Sequence, residues 1–213
     1  MENKKMKLWK KILLVVLAIF ILFSIHVIRN FIILSNIQNL SEEYSDKTNY
    51  VANVYSIQTD SINIMQSYNK DGKSLTFVKT DVTNSNSIRK LTLYKDSEET
   101  IGVIESDGKK VAMLNNNGIS GIQVVTFKSI ADMNVLQKLL FSVITRISTE
   151  DCNNKECYYM QISDGWKVWL DKENGTILRE INSGFVTERT YKFDIVKDED
   201  ITKPDISDCE MQK

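Results

Sequence analysis

From Ile12 to Phe23 the chain has no polar position, and continuing through Ser24 and His26 to Ile28 extends the apolar run to 17 residues. In helical form that is about 25 Å, just long enough to cross a bilayer. The pattern then changes without breaking. In NFIILSNIQNLSEEY the residues Phe31, Leu34, Ile37, Leu40 and Tyr44 recur three or four apart, so the helix is expected to continue with one apolar face. Around Asn49 the period falls to two, which predicts strands over 50–57, 61–68, 74–79, 88–94, 100–105 and 110–114. Asp71-Gly72 and Asp107-Gly108 supply residues that tolerate the positive φ of tight hairpins, so these strands read as an antiparallel meander. A helical period returns in IADMNVLQKLLFSVITRI, with Met133, Leu136, Leu140, Ile144 and Ile147 on one face and an S-x-x-D cap at Ser129 and Asp132. Strands resume over 157–162, 165–171, 176–182 and 186–196, followed by a polar, acidic tail.

Charge gives the apolar run a direction. Lys4, Lys5, Lys7, Lys10 and Lys11 precede it, whereas only Arg29 follows closely, which places the N-terminus in the cytoplasm and the rest outside. Trp9 sits where an interfacial ring would. The run lacks the small residues a signal-peptide cleavage site needs, and no cysteine follows it for lipidation, so an uncleaved signal anchor is expected. The organisation is then a basic tail over 1–11, an anchor running into a helix over 12–34, and one extracytoplasmic domain over 35–213 at the plasma membrane. His26, the sole histidine, falls inside the apolar run and is assigned no role.

The composition, 42% hydrophobic and 26% charged, is that of a folded protein. From Asn36 onward 21 Lys and Arg face 27 Asp and Glu, and this acidic surface argues against nucleic acid and anionic lipid headgroups as partners. With no histidine outside the apolar run, Ser-His and Cys-His nucleophile pairs are excluded there. No phosphate-cradling glycine motif occurs, and the carboxylates do not group into an acid and base pair. DKENGTILRE has acidic residues around a glycine, but Gly175 stands fifth from Asp171 where a calcium loop needs it sixth. No catalytic residue, metal ligand or cofactor is therefore nominated. Cys152 and Cys157 bracket a four-residue loop and are candidates for a disulfide, with Cys209 left over.

The hairpin around Asn174-Gly175 carries tryptophan on both faces. A regular register puts Trp166, Val168, Leu170, Ile177, Arg179 and Ile181 on one side, and Lys167, Trp169, Asp171, Leu178 and Glu180 on the other. The first face suits either a cavity for acyl chains with an arginine for a headgroup or a plain core whose arginine reaches the rim.

Two stretches, RKLTLYKDSEETIGVIESDGKKVAML from Arg89 to Leu114 and the region from Trp166 to Phe193, resemble the LolA-like family of lipoprotein-localisation carriers and its envelope-sensor relatives. The resemblance implies a mainly β (α+β) fold: an anchor helix followed by a curved antiparallel half-barrel, with helices packed across its concave side over an apolar hollow for lipid. The strand residues that would line it are Leu91, Leu93, Trp166, Val168, Leu170, Ile177 and Ile181. Met133, Leu136, Leu140 and Ile144 would come from the lid helix, and Arg89 and Arg179 would meet a headgroup. Trp169 would shield the convex back with Leu178. This chain departs from the carriers in having Arg89-Lys90 where they have Arg-Pro, and in its tether, which rules out shuttling between membranes. Two functions follow as expectations. One is a binding protein holding a membrane lipid or the acyl chain of an acylated protein. The other is a structural or regulatory envelope module, without a ligand cavity, that binds another membrane protein.

Overall fold

A computed structural model of the chain describes residues 2–83, 87–115, 122–127 and 132–212, with side chains from residue 7 onward. Helix α1 runs unbroken over Glu2–Ser45. It is the one helix among the described residues long and apolar enough to cross a membrane. Its two parts behave differently. Ile12 to Phe23 are all exposed, whereas Asn30, Ile33, Leu34, Ile37 and Ser41 are buried against the domain. The change from an all-round apolar surface to a single apolar stripe is the one seen in the sequence.

The strands are β1 (Tyr50–Ile57), β2 (Ser61–Lys70), β3 (Lys73–Val82), β4 (Ser87–Lys95), β5 (Thr100–Ser106) and β6 (Lys109–Leu114), then β7 (Arg146–Cys152), β8 (Lys155–Ser163), β9 (Trp166–Asp171), β10 (Ile177–Asn182), β11 (Phe185–Phe193) and β12 (Glu210–Gln212). They form one open, curved sheet in the order β12-β6-β5-β4-β3-β2-β1-β11-β10-β9-β8-β7. All neighbours are antiparallel except β12 and β6. Asp71-Gly72 and Asp107-Gly108 turn with φ of 49°, 85°, 52° and 76°, which supplies the left-handed backbone that two-residue hairpins need.

Helix α2 covers Val135–Ile144, shorter at both ends than its apolar spacing suggests. Ser129 lies outside the described residues. The cap is instead Asn134, whose side chain accepts from Gln137 N at 2.9 Å while Gln137 Oε1 accepts from Asn134 N. At the other end Thr145 is extended, and Ile147 belongs to β7, pointing its side chain into the core. A β-branched run, Ile144 to Ile147 broken only by Arg146, favours that switch.

The core changes sides along the sheet. In β7 to β10 the inner, helix-bearing face is packed: Ile147, Met160, Val168, Leu170 and Ile177 meet Ile33, Leu34 and Ile37 of α1, with Phe127. In β1 to β5 the outer face is packed: Val51, Leu75, Tyr94 and Ile101 meet Val196 and Ile201 of the segment after β11. Asn49 clamps that segment, accepting from Val196 N at 2.9 Å and donating to Val196 O at 3.1 Å. The acidic tail therefore carries three apolar anchors, Val196, Ile201 and Ile206, spaced five apart.

Candidate functional site

The hollow expected to receive a guest is where α1 lies. Leu34 and Ile37 are fully buried against Val168, Leu170 and Ile177, three of the residues expected to line a cavity. Met133 and Trp166 are half-buried at the edge of the same cluster. The segment 122–127 crosses beside them. Ile122 O accepts from the Tyr50 hydroxyl at 2.9 Å, Val125 N donates to the Tyr191 hydroxyl at 3.1 Å, and Val125 O accepts from Ile177 N at 2.9 Å. Burial pushes the Tyr50 and Tyr191 phenols above their ordinary range, so both remain neutral hydrogen-bonding groups.

The turn after β9 is the seat for α1. The Asp171 carboxylate accepts from Glu173 N at 2.8 Å and Asn174 Nδ2 at 3.2 Å, and it pairs with Lys155 at 3.2 Å. Asn174 Oδ1 in turn accepts from Thr176 N and Oγ1 at 3.0 and 2.6 Å. These bonds fold the acidic residues onto their own loop. Gly175, at φ 68°, then comes so close to α1 that a Cβ would lie 2.9 Å from Leu40 Cβ. Close backbone approach and a left-handed φ together explain the glycine.

The remaining expected site residues do not converge. Leu91 and Leu93 share the inner face by register, but five strands separate β4 from β9, placing them about 29 Å apart along the sheet. Between them the inner face is mixed: Val54, Met65 and Val78 form one apolar row with Leu91, and the rows on either side of it are polar. Ser67 and Thr76 hydroxyls bond at 2.7 Å, Asn69 donates to Ser67 at 3.0 Å, and Thr80 donates to Asn63 at 2.7 Å. Leu136, Leu140 and Ile144 are 65%, 59% and 79% exposed.

Arg179 and Ile181 are on the opposite side from the one a regular register gives. β10 is irregular between Ile177 and Arg179: Ile177 faces Leu170, but Arg179 faces Trp169, and Ile181 faces Lys167. One residue added to one strand swaps every later side chain to the other face. The Arg179 guanidinium therefore sits 5.1 Å from the Trp169 ring centre on the outer face, and Ile181 joins Trp169, Leu178, Cys152 and Cys157 in a small cluster there. Glu180 moves inward, where it accepts from Trp166 Nε1 at 3.1 Å and from Arg189 at 3.1 Å. Arg189 and Glu180, rather than Arg179, are the charged pair of the inner face. Arg89 is exposed on that face and far from both.

The cysteines are free thiols rather than a disulfide. Their hairpin closes in two residues, Asn153-Asn154 at φ 54° and 63°, so Cys152 faces Lys155 and Cys157 faces Glu150. Burial, reinforced by Cys152 and Asp171, pushes the Cys157 thiol up to about 12.

On the outer face a groove of about 420 Å³ opens between the sheet and the C-terminal segment. Its floor is Ile64, Gln66, Phe77, Thr92 and Val103, its rim includes Lys79, Lys90, Lys110 and Glu105, and Pro204, Asp205 and Cys209 form the far wall. Ile64 is 46% and Phe77 42% exposed, and Tyr55, opposite Ile64, and Ile57, opposite Ile62, extend the apolar surface beyond the groove. Alternation alone puts Ile62, Ile64 and Tyr68 of β2 on this face, but does not say which of them the fold leaves uncovered.

No protein-family model and no curated protein matches the sequence. Among solved structures, the chain is similar to MucB at TM-score 0.38 and 10% identity over 83% of this chain. It is similar to MucB in complex with MucA(peri) at TM-score 0.38, with 11% identity over 83% of this chain. The chain spans 64% and 60% of the lengths of those two chains. A conserved, uncharacterized protein from Thermus thermophilus is similar at TM-score 0.37 and 10% identity, over 84% of this chain and 98% of its own. Likeness of this degree assigns the chain neither a family nor a function.

Proposed function

We propose that this protein is a single-pass, membrane-anchored extracytoplasmic module that binds another envelope polypeptide through its outer face. The observation that carries this reading is the occupation of the inner hollow by the protein's own anchor helix: Leu34 and Ile37, each 0% exposed, fill the place an acyl chain would take. The neighbouring inner face carries serine, threonine and asparagine on both sides of a single apolar row, Val54, Met65, Val78 and Leu91, and a lipid chain would leave those polar groups dehydrated with no compensation beyond their mutual bonds. The outer face, by contrast, leaves Tyr55, Ile57, Ile64 and Phe77 exposed beside lysines and a groove. An apolar floor with a charged rim is the anatomy of a protein contact.

The test is site-specific photocrosslinking of the full chain in its native membrane. A photoreactive residue at Ile64 is expected to give one discrete protein adduct that Phe77→Asp removes, while one at exposed Lys73 gives none. The lipid-carrier reading that the family resemblance implies predicts the reverse: no adduct at Ile64, and stoichiometric lipid bound to the purified protein in native mass spectrometry. That result would overturn the proposal.

A further inference from the structure

Helix α2 is short, apolar and uncovered. Val135, Leu136, Leu139, Leu140, Val143 and Ile144 are all exposed, and Lys138 is its only charged residue. Its neighbours say what covers it. Val135 and Leu139 share with Val27, Ile28 and Phe31 a cleft of about 250 Å³ that has no polar side chain in its lining. At the C-terminal end of α2, Asn30 Nδ2 donates to Ser142 O at 3.0 Å and to Thr145 O at 2.8 Å. His26 Nε2 stands 3.1 Å from the same nitrogen. Those carbonyls have no partner within α2, so a fully buried amide from α1 satisfies them in apolar surroundings. Along this stretch α2 meets α1 from Val27 to Phe31, and Lys138 reaches on to Gln38.

We infer that α2 lies in the outer leaflet, its exposed face among the lipid acyl chains, as an interfacial helix beside the anchor. The inference rests on α1 being a membrane anchor, the reading given above. The apolar surface of α2 is continuous with that of α1 at Ile28, itself exposed. The apolar run from Ile12 to Ile28 spans about 25 Å, at the short end of what a bilayer needs, and α2 adds apolar surface beside its outer end. Lys138 turns the other way, donating to Gln38 Oε1 and crossing the Phe31 ring at 5.7 Å, so its ammonium rises along α1 toward the domain. Interfacial helices bury their apolar face about 5–10 Å into the boundary between headgroups and acyl chains, which is the depth expected for α2 beside the outer end of the anchor.

The full chain, with Cys209→Ser and a fluorescent label at Leu140→Cys, is reconstituted into phosphatidylcholine and phosphatidylglycerol vesicles containing lipids that carry a quencher near the headgroup or at mid-chain. Equivalent labels at Phe20 and Lys73 serve as controls. The Leu140 label is expected to lose about half its emission to the shallow quencher and to be sheltered from iodide. Phe20 should respond to the mid-chain quencher, and Lys73 to iodide alone. Iodide access at Leu140 with Phe20 still quenched by lipid would overturn the inference and leave the anchor intact. Shelter from iodide without lipid quenching at Leu140 would show a protein cover, a second copy included, and would equally overturn it. Loss of lipid quenching at Phe20 would instead remove the anchor itself, and with it the premise.

Discussion

The two halves of the sheet solve the same problem on opposite faces. From β7 to β10 the apolar layer is on the inner side and is closed by α1, an element from the start of the chain. From β1 to β5 it is on the outer side and is closed by the segment from Val196 to Ile206, near the end of the chain. The difference teaches that the two halves of the sheet need separate covers. The inner face of β1 to β4 alternates in rows, with Val54, Met65, Val78 and Leu91 between bonded hydroxyl and amide groups, whereas that of β7 to β10 carries the apolar cluster under α1. Each half has a principal core of modest size, and each of these cores depends on a terminal segment that is not part of the meander.

If the halves are separate cores, damage to them should add. Leu34→Ala opens a cavity under α1 and is expected to cost about 3 kcal/mol, measured by urea unfolding of the detergent-solubilised full chain. Ile201→Ala, at the more accessible outer core, should cost about 2 kcal/mol. The double variant should equal their sum to within about 0.5 kcal/mol, since the two side chains belong to different clusters. A larger coupling would show one cooperative core and end the comparison.

Gly175→Ala sharpens it from the other side. The new methyl meets Leu40 at 2.9 Å and the backbone is left-handed, so about 1–2 kcal/mol should be lost through the seat of α1 alone. Trp166, packed in that core, should change its fluorescence. A variant as stable as the parent would mean that α1 is not seated on this turn.

The small outer cluster adds a pH dependence. Cys157 ordinarily titrates at 9.0 and is held neutral in the fold up to about 12. Because the raised value belongs to the folded state, its contribution is complete below about pH 9 and is lost as pH rises toward about 12. The urea midpoint should fall between about pH 8 and about pH 10.5, and Cys157→Ala should flatten that fall. An unchanged slope in the variant would place the titration elsewhere. The smallest effect belongs to the same cluster: Arg179→Met removes the cation over Trp169 and should cost about 0.5 kcal/mol, whereas an inward-facing arginine would leave the Trp169 environment untouched.

Much of this architecture was legible beforehand. β1 is found where the period of two put it, the Asp-Gly hairpins turn where those residues stand, and α1 continues past the apolar run as its spacing implied. These features depend on local φ preference and on periodicity, which any window of the sequence displays. The faces in β10 were not legible, because a bulge leaves no mark in alternation yet reverses Arg179 and Ile181. Nor was the role of the tail, since three apolar residues among acids look like a solvated end until Val51, Leu75 and Ile101 require a cover. The α2 residues were correctly seen as apolar, but which surface would meet them depended on where α1 lies.

By itself, then, the sequence determined the elements and their order: a helix too apolar to be wetted, a run of strands with local turns, and a second apolar helix. Those follow from propensities and periods that act within a few residues. Only the tertiary structure decided which face of each strand is covered and by what, because burial is settled between segments far apart in the chain. Here Leu34 of α1 fills the inner hollow, and the outward Ile64 and Phe77 stay exposed.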